Sequence, residues 1–595
     1  MPLSSTASPR FGPRYRGGSR GPSFRRQRRG PSRGLVLGLV VVLLLGGAGV
    51  GGYLFLQARQ RAADRERDRL QAAAVQVTTA YLAAWSAGDA VSAAAQVLPA
   101  QRPAAQALLV RSRAELHAVT AAFTPAGPVT SAGPSPGVDY AAKVTVRGLG
   151  DAAWMGRLPL TRSGPSWLVD FAPAVVHPAL APGGRFAYSR VAPTRGKVLL
   201  TDGASMADAA KAGELVGNLR GEVTTAASDA DALKAGGPRF LKGDDVGTSG
   251  LQRAFNPQLQ GQPGGSLTVL GANGKPAAQL ITLTRADGKD LRTTLSGRAQ
   301  LAAQAALAPI SLPRSMVVLD GRSGGVLAIA GGQSATRGTY APGSTFKVVT
   351  SVAALSAGLG PGTTLDCSKT TTVNGRTLHN AEGEQFGPLS FPTAFAKSCN
   401  TWFAQLPAKI PGNGIDVLTR TAELFGFATG GPTGDSVAAQ KAAMDVLPVA
   451  SFGGSFPRPK DGAQAAGQSF GQDLVVASPL QMASVAGAIA SGTWHKPRVT
   501  TVTPDVAHPL PPGTAATVRG FMAGVVSVGG TAGGVAFPGG VIGKTGTAEV
   551  VGRKDNSWFI GIRGNVAVAC EVDGGGFGAV AAAPAVARFF AAYGG

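Results

Sequence analysis

Cysteine and histidine are scarce, with three of one and five of the other in 595 residues. Cys367, Cys399 and Cys570 cannot build a disulfide framework, and no His-x-x-x-His or Cys-x-x-Cys spacing marks a metal site. The sequence therefore implies no metal and no cofactor, and it leaves open whether two of the cysteines pair. Acids are also few, 33 against 56 basic residues, for a net charge of +23. Arg10, Arg14, Arg16, Arg20, Arg25, Arg26, Arg28, Arg29 and Arg33 supply part of that excess, and the first acid is Asp64, so the imbalance is partly an N-terminal tail. Beyond the tail there is no zinc-finger spacing, no interleaving of aromatic and basic residues and no Lys- and Arg-dense helix. That argues against nucleic acid and for an anionic membrane or wall surface. Internal repeats are lacking, and the length calls for several domains.

What the sequence does contain begins with an uncharged apolar run, residues 34–57. As a helix it is long enough to cross ~30 Å of hydrocarbon. It exceeds the ~7–15 residue core of a secretory signal, and no small-residue cleavage site precedes the charged segment Arg59 to Arg69. The reading is a retained single-pass anchor, with the arginine tail inside and the rest of the chain outside the cytoplasmic membrane. Residues 60–96 and 101–122 carry helical periodicity, and alternating runs at 140–146, 152–160 and 166–171 predict strands of a small α+β domain ending near Pro178. The Gly-rich stretch 179–300 reads as linker and pedestal, with a strand pair at 267–269 and 279–284. The pattern strand, turn, strand at 315–330 opens a large domain that continues to residue 595.

The chemistry lies in that last region. Ser344-Thr345-Phe346-Lys347 follows Pro342-Gly343 and starts a helical stretch, so Ser344 and Lys347 project from one face about a turn apart. A lysine can take the serine proton only if burial and neighbouring cations lower its pKa from about 10.4. Alone, such a tetrapeptide is more often a helix start with an exposed lysine. Ser398-Cys399-Asn400 and Lys544-Thr545-Gly546-Thr547 reverse that judgement, because Ser-x-x-Lys, Ser-x-Asn and Lys-Thr-Gly each occur once, in the order that marks penicillin-binding proteins and class A β-lactamases. Gly321-Arg322-Ser323-Gly324-Gly325 fits a nucleophile-elbow pattern, but a strand follows where a helix is required, so it reads as a hairpin turn.

On these motifs the region from about Pro313 to Gly595 resembles the transpeptidase domain of class B penicillin-binding proteins. The likeness extends to Tyr340-Ala341-Pro342-Gly343, Gly471-Gln472 and Ala477-Ser478-Pro479-Leu480-Gln481-Met482-Ala483. Upstream, Trp167-Leu168-Val169-Asp170 with His177-Pro178-Ala179-Leu180 resembles the end of an NTF2-like domain. Gly247 to Gly264 resembles the family's dimerisation region, of whose fuller signature only Arg195-Gly196 is present. The Ala-, Gly- and Val-rich composition is that of a high-GC genome, such as an actinobacterial one. The resemblance implies a multidomain α+β chain: cytoplasmic tail 1–33, transmembrane helix 34–57, NTF2-like α+β domain 58–180, pedestal or dimerisation region 181–307, and a serine β-lactamase-like α/β transpeptidase domain 308–595.

It further implies a DD-transpeptidase that cross-links peptidoglycan stem peptides and is acylated by β-lactams, partnered in the membrane by a polytopic glycosyltransferase that polymerises lipid II. Carried over by position, Ser344 is the nucleophile and Lys347 its base. Ser398 relays a proton to the leaving amine, and Asn400 orients Lys347 and the substrate amide. Lys544 and Thr545 hold the Ser398 hydroxyl and a terminal carboxylate. Gly546 leaves room for substrate backbone, and the Thr547 and Ser344 amides form an oxyanion hole. The alternatives are a DD-carboxypeptidase, which shares all three motifs, and a scaffold with a vestigial site. A β-lactamase needs a deacylating glutamate between the second and third motifs, and Glu423, the only one there, sits in an unrelated context. Cys399 reads as a small buried filler and Cys367 as a thiol able to reach a partner.

Overall fold

The structure, a computed structural model, describes residues 33–164 and 166–594, with side chains from residue 53 onward save those of residues 216 and 218. The first helix, α1 (Arg33–Ala87), takes in the anchor segment 34–57, most of whose side chains lie outside the described set. Among the described residues no helix is long and apolar enough to cross a membrane.

The helical run predicted to residue 96 breaks at Gly88, where Asp89 caps α2 (Ala90–Ala95) by accepting from the Ser92 amide. The second predicted helix is shorter than its periodicity: α3 (Arg102–Glu115) stops before His117, at φ +47°, and residues assigned to it become strand β1 (Ala118–Pro125). Pairing overrides alanine's helix propensity here. β1 hydrogen-bonds β2 (Gly137–Val146), and β3 (Gly150–Ser163) and β4 (Ser166–Val169) complete an antiparallel sheet in the order β1-β2-β3-β4. Tyr81, Leu82 and Trp85 of α1 pack on it in one apolar core. That core crosses residue 180: β5 (Arg185–Val191), β6 (Gly264–Leu270) and β7 (Pro276–Leu283) form a three-stranded sheet whose Phe186, Leu267, Val269 and Ile281 belong to it. The stretch read as linker is thus partly structural.

Helix α4 (Gly297–Leu307) leads into the C-terminal domain, built on the antiparallel sheet β9-β8-β14-β13-β12. Its strands are β8 (Arg314–Asp320), β9 (Gly325–Ala330), β12 (Ile542–Ala548), β13 (Asn556–Arg563) and β14 (Val566–Val572), with β10 (Thr364–Cys367) and β11 (Gly387–Ser390) pairing separately. Nearly every residue of β13 and β14 is buried, the pattern of strands covered on both faces. Helix α7 (Pro479–Ser491) packs on β8, β13 and β14. α9 (Ala582–Tyr593), which packs on α4, covers β13 and β14. Ser323 sits in the β8–β9 hairpin, its hydroxyl donating to Asp320. The edge strand β12 packs on α8 (Thr514–Val526) and on the turn that leads into α5 (Lys347–Ser356), and its Lys544 reaches Ser398, just before α6 (Asn400–Lys409). The cleft opens along that edge.

Candidate active site

Ser344 lies in a short 3-10 turn, Gly343–Phe346, that runs directly into α5. Two glycines make the turn possible. Gly343 has φ +53°, and a Cβ there would stand 2.6 Å from the Thr547 carbonyl; at Gly471, φ +78°, one would stand 2.1 Å from the Gly343 carbonyl. The Gly343 amide donates to Gly471, and Tyr340 and Ala477 exchange backbone hydrogen bonds. The flanking stretches noted in the sequence are therefore the clamp that holds the serine turn against β12. Gly546 serves the same contact. Its missing side chain leaves room for the Thr345 methyl, the Pro342 carbonyl and the Trp558 Cβ, all within 3.0 Å of where a Cβ would lie. Packing of the turn requires that glycine, whereas the sequence reading gave the space to substrate.

The three motifs converge. Lys347 Nζ lies 2.9 Å from Ser344 Oγ, 2.7 Å from Asn400 Oδ1, 2.5 Å from the Ser398 carbonyl and 3.3 Å from Ser398 Oγ. Lys544 Nζ donates to Ser398 Oγ at 2.8 Å and to the Thr545 carbonyl at 2.9 Å. Ser344, Lys347, Ser398 and Lys544 so form one unbroken polar chain. Both lysines are fully buried, among the rings of Phe395, Phe403 and Phe470. Burial, and secondarily the charge of Lys544, pushes the Lys347 amine well below its usual range against a weaker opposing pull from Glu384; burial brings Lys544 down to about 7.

A neutral Lys347 has two N–H groups and one lone pair. The Ser398 carbonyl and Asn400 Oδ1 can only accept, so they take the two N–H groups and the lone pair is left for the Ser344 hydroxyl. The arrangement can deprotonate a serine and support a covalent acyl intermediate. Ser398 is held at φ +59°, a left-handed conformation uncommon for a serine and costing about 1–3 kcal/mol, which turns its carbonyl onto Lys347.

Cys399 is not a buried filler, nor is Cys367 free for a partner. The two are joined in a disulfide that ties the start of α6 to the end of β10. Neither motif nor spacing signals this pairing, because the partners become neighbours only through the fold. Cys570 is free and buried in β14.

Sequence reasoning also missed Thr531. It lies in the Gly-rich loop before β12, donates its amide to Ala396, and shares a 2.6 Å hydroxyl contact with Thr545. Ser344, Ser398, Asn400, Thr531, Thr545 and Thr547 all line a cleft of ≈ 450 Å³. Glu423 is elsewhere, accepting from Thr429 and lining a different depression.

Fold and site together define a serine acyl-enzyme domain of the penicillin-recognising kind. Residues 314–591 match the penicillin binding protein transpeptidase domain, and residues 191–293 match the penicillin-binding protein dimerisation domain. Among curated proteins the chain is 34% identical over 265 residues to the peptidoglycan D,D-transpeptidase PbpA of Mycolicibacterium smegmatis, an overlap of 40% of this chain and 50% of that protein. The chain thus spans about half the length of this curated relative. Two solved structures share the fold. One is a chain of a peptidoglycan synthase complex that coordinates polymerization and crosslinking, with TM-score 0.55 and 23% identity over 69% of this chain and 92% of that one. The other comes from the complex between penicillin-binding protein PBP2 and MreC of Helicobacter pylori, with TM-score 0.56 and 16% identity over 68% and 98%. The chain belongs to the class B penicillin-binding proteins.

Proposed function

We propose that this chain is a peptidoglycan DD-transpeptidase acting through an acyl-enzyme on Ser344. The observation that carries the reading is the buried, charge-depleted Lys347 amine 2.9 Å from the Ser344 hydroxyl. In the first step Lys347 takes the Ser344 proton and Oγ bonds to the carbonyl carbon of the D-Ala–D-Ala peptide bond. The C–N bond breaks, and the proton passes through Ser398 to the departing D-Ala amine. In the second step the amine of a neighbouring stem peptide attacks the ester, its N–C bond replaces the C–O bond, and Ser344 recovers a proton. Asn400 orients Lys347 and the substrate amide. Lys544 and Thr545 hold the terminal carboxylate, and Thr547 with Ser344 offers amides to the oxyanion. β-Lactams acylate the same serine.

The tail 1–33, anchor 34–57, NTF2-like domain 58–180, pedestal 181–307 and catalytic domain 308–595 complete the reading, with catalysis outside the cytoplasmic membrane. The Cys367–Cys399 disulfide supports that side, since such bonds persist in oxidising compartments. A lipid II-polymerising glycosyltransferase is the proposed partner, supported by the fold shared with a chain of a synthase complex. Intact-mass spectrometry with benzylpenicillin tests the activity: a stable single adduct is expected, lost in Ser344→Ala. No adduct would leave the scaffold reading, and drug hydrolysis with a transient adduct would favour a β-lactamase.

A further inference from the structure

A second cavity lies far from the motifs, in the membrane-side domain. It has a volume of ≈ 300 Å³ and is walled by Trp85 of α1, Leu109 of α3, Phe123 of β1, Val144 of β2 and Val176. Trp85 and Phe123 stack face to face at its side. Two polar groups interrupt the apolar lining. Arg113, half-buried at the rim, has neither an ion pair nor a hydrogen bond among the described residues. The nearby acids bond elsewhere: Glu115 pairs with Arg111 and accepts from the Phe186 amide, and Asp89 accepts from the Ser92 amide. The guanidinium lies over Gly88, where at φ +79° a Cβ would stand 2.7 Å from its Cζ. Ser112, 1% exposed in the same wall, has a hydroxyl without a partner among the described residues.

An apolar chamber, a cation at its mouth with no partner among the described residues and a buried hydroxyl in its wall describe an amphiphile with one anionic end. We propose that this cavity binds an aliphatic monocarboxylate of about eight carbons, with the chain between Trp85 and Val144 and the carboxylate on Arg113. Satisfying Ser112 as well would require an oxygen reaching inward from that carboxylate. The rim charge repels an ammonium head, and the volume holds one short chain where a two-chain lipid would not fit.

The test is titration of the full chain, held in an amphipathic polymer, with sodium octanoate, octanol and octylammonium, read by saturable quenching of Trp85 fluorescence. Trp85→Phe identifies the signal. Octanoate is expected to bind best, and Arg113→Gln to weaken it at least about tenfold while leaving octanol nearly unchanged. Ala121→Phe, which fills the chamber, is expected to abolish both. Circular dichroism and the cooperative thermal unfolding of the N-terminal domain check that each variant is folded, and if Ala121→Phe fails that check the Arg113→Gln comparison decides alone. Absence of saturable octanoate binding, indifference to Arg113→Gln, or equal binding of octylammonium would overturn the proposal.

Discussion

Two cavities of this chain use their cations in opposite ways. In the C-terminal cleft Lys347 and Lys544 are fully buried, and burial lowers both amines. At the mouth of the N-terminal cavity the cation is a half-buried arginine over apolar walls. The chemistry of the two side chains explains the choice. A lysine can be driven neutral by desolvation and so can exchange a proton, whereas a guanidinium stays charged in proteins and suits binding. Desolvation can make a base of an amine in one place, and a hydrophobic chamber needs only a charged lip in the other.

The largest expected effect breaks that comparison at the base. Lys347→Met keeps length and burial but removes the lone pair, and should slow acylation by benzylpenicillin roughly 100- to 10,000-fold in stopped-flow or mass-spectrometric kinetics. The pH dependence sharpens it. In the free protein Lys347 must be neutral and Lys544 protonated. The second-order acylation rate should therefore rise with pH along the Lys347 titration, well below the usual lysine range, and fall above about 7 as Lys544 loses the charge proposed to draw the ligand carboxylate into the cleft. The same shifts set a slope in stability. Between about 7 and ~10.4 the unfolded chain holds a proton on the Lys544 position that the folded chain has lost, so this group makes stability rise with pH across that window and contributes a constant deficit below it. A rate that climbs steadily through neutrality toward ~10.4, with no fall above about 7, would show that the cleft lysines are ordinary ones.

Next in size is the covalent tie beneath Ser398. The Cys367–Cys399 link closes a loop over a sequence separation of 32. Replacing both cysteines by serine should cost about 2–4 kcal/mol in denaturant unfolding. It should also slow acylation, by less than Lys347→Met does, because Ser398 at φ +59° loses the neighbour that anchors its turn. Unchanged acylation in a destabilised protein would separate the tie from the chemistry.

These effects follow what was legible in the sequence and what was not. Ser344 and Lys347, Ser398 and Asn400, and Lys544 to Thr547 could be read because proton transfer needs set residue types at set offsets on one turn or strand. Tyr340 to Gly343 and Gly471-Gln472 were visible as likeness, but their work, clamping the serine turn between Thr547 and Gly343, appears only when the backbones meet. β1 was hidden by alanine, whose helix propensity suited a longer α3 until pairing with β2 claimed those residues. The Cys367–Cys399 bond and the packing of β5, β6 and β7 on the N-terminal core depend on contacts between distant segments, which leave no local periodicity. Arg113 and its chamber carry no motif at all, since an apolar wall can be built from many residue combinations.

The smallest effect tests Thr531, a cleft residue outside the three motifs. Its hydroxyl lies 2.6 Å from that of Thr545, and whichever of the two donates, the contact bears on how Thr545 would meet a carboxylate in the cleft. Thr531→Val preserves shape and removes only that contact. Acylation efficiency with benzylpenicillin should drop about 3- to 10-fold, the size of one net hydrogen bond. The melting temperature should stay in place, and Thr531→Ser should restore the rate. The ratio of benzylpenicillin to its methyl ester isolates the carboxylate: it should shrink in Thr531→Val if Thr531 acts through Thr545. A ratio that holds while both rates fall would make Thr531 a packing residue of the loop before β12, leaving carboxylate recognition to the motif residues alone.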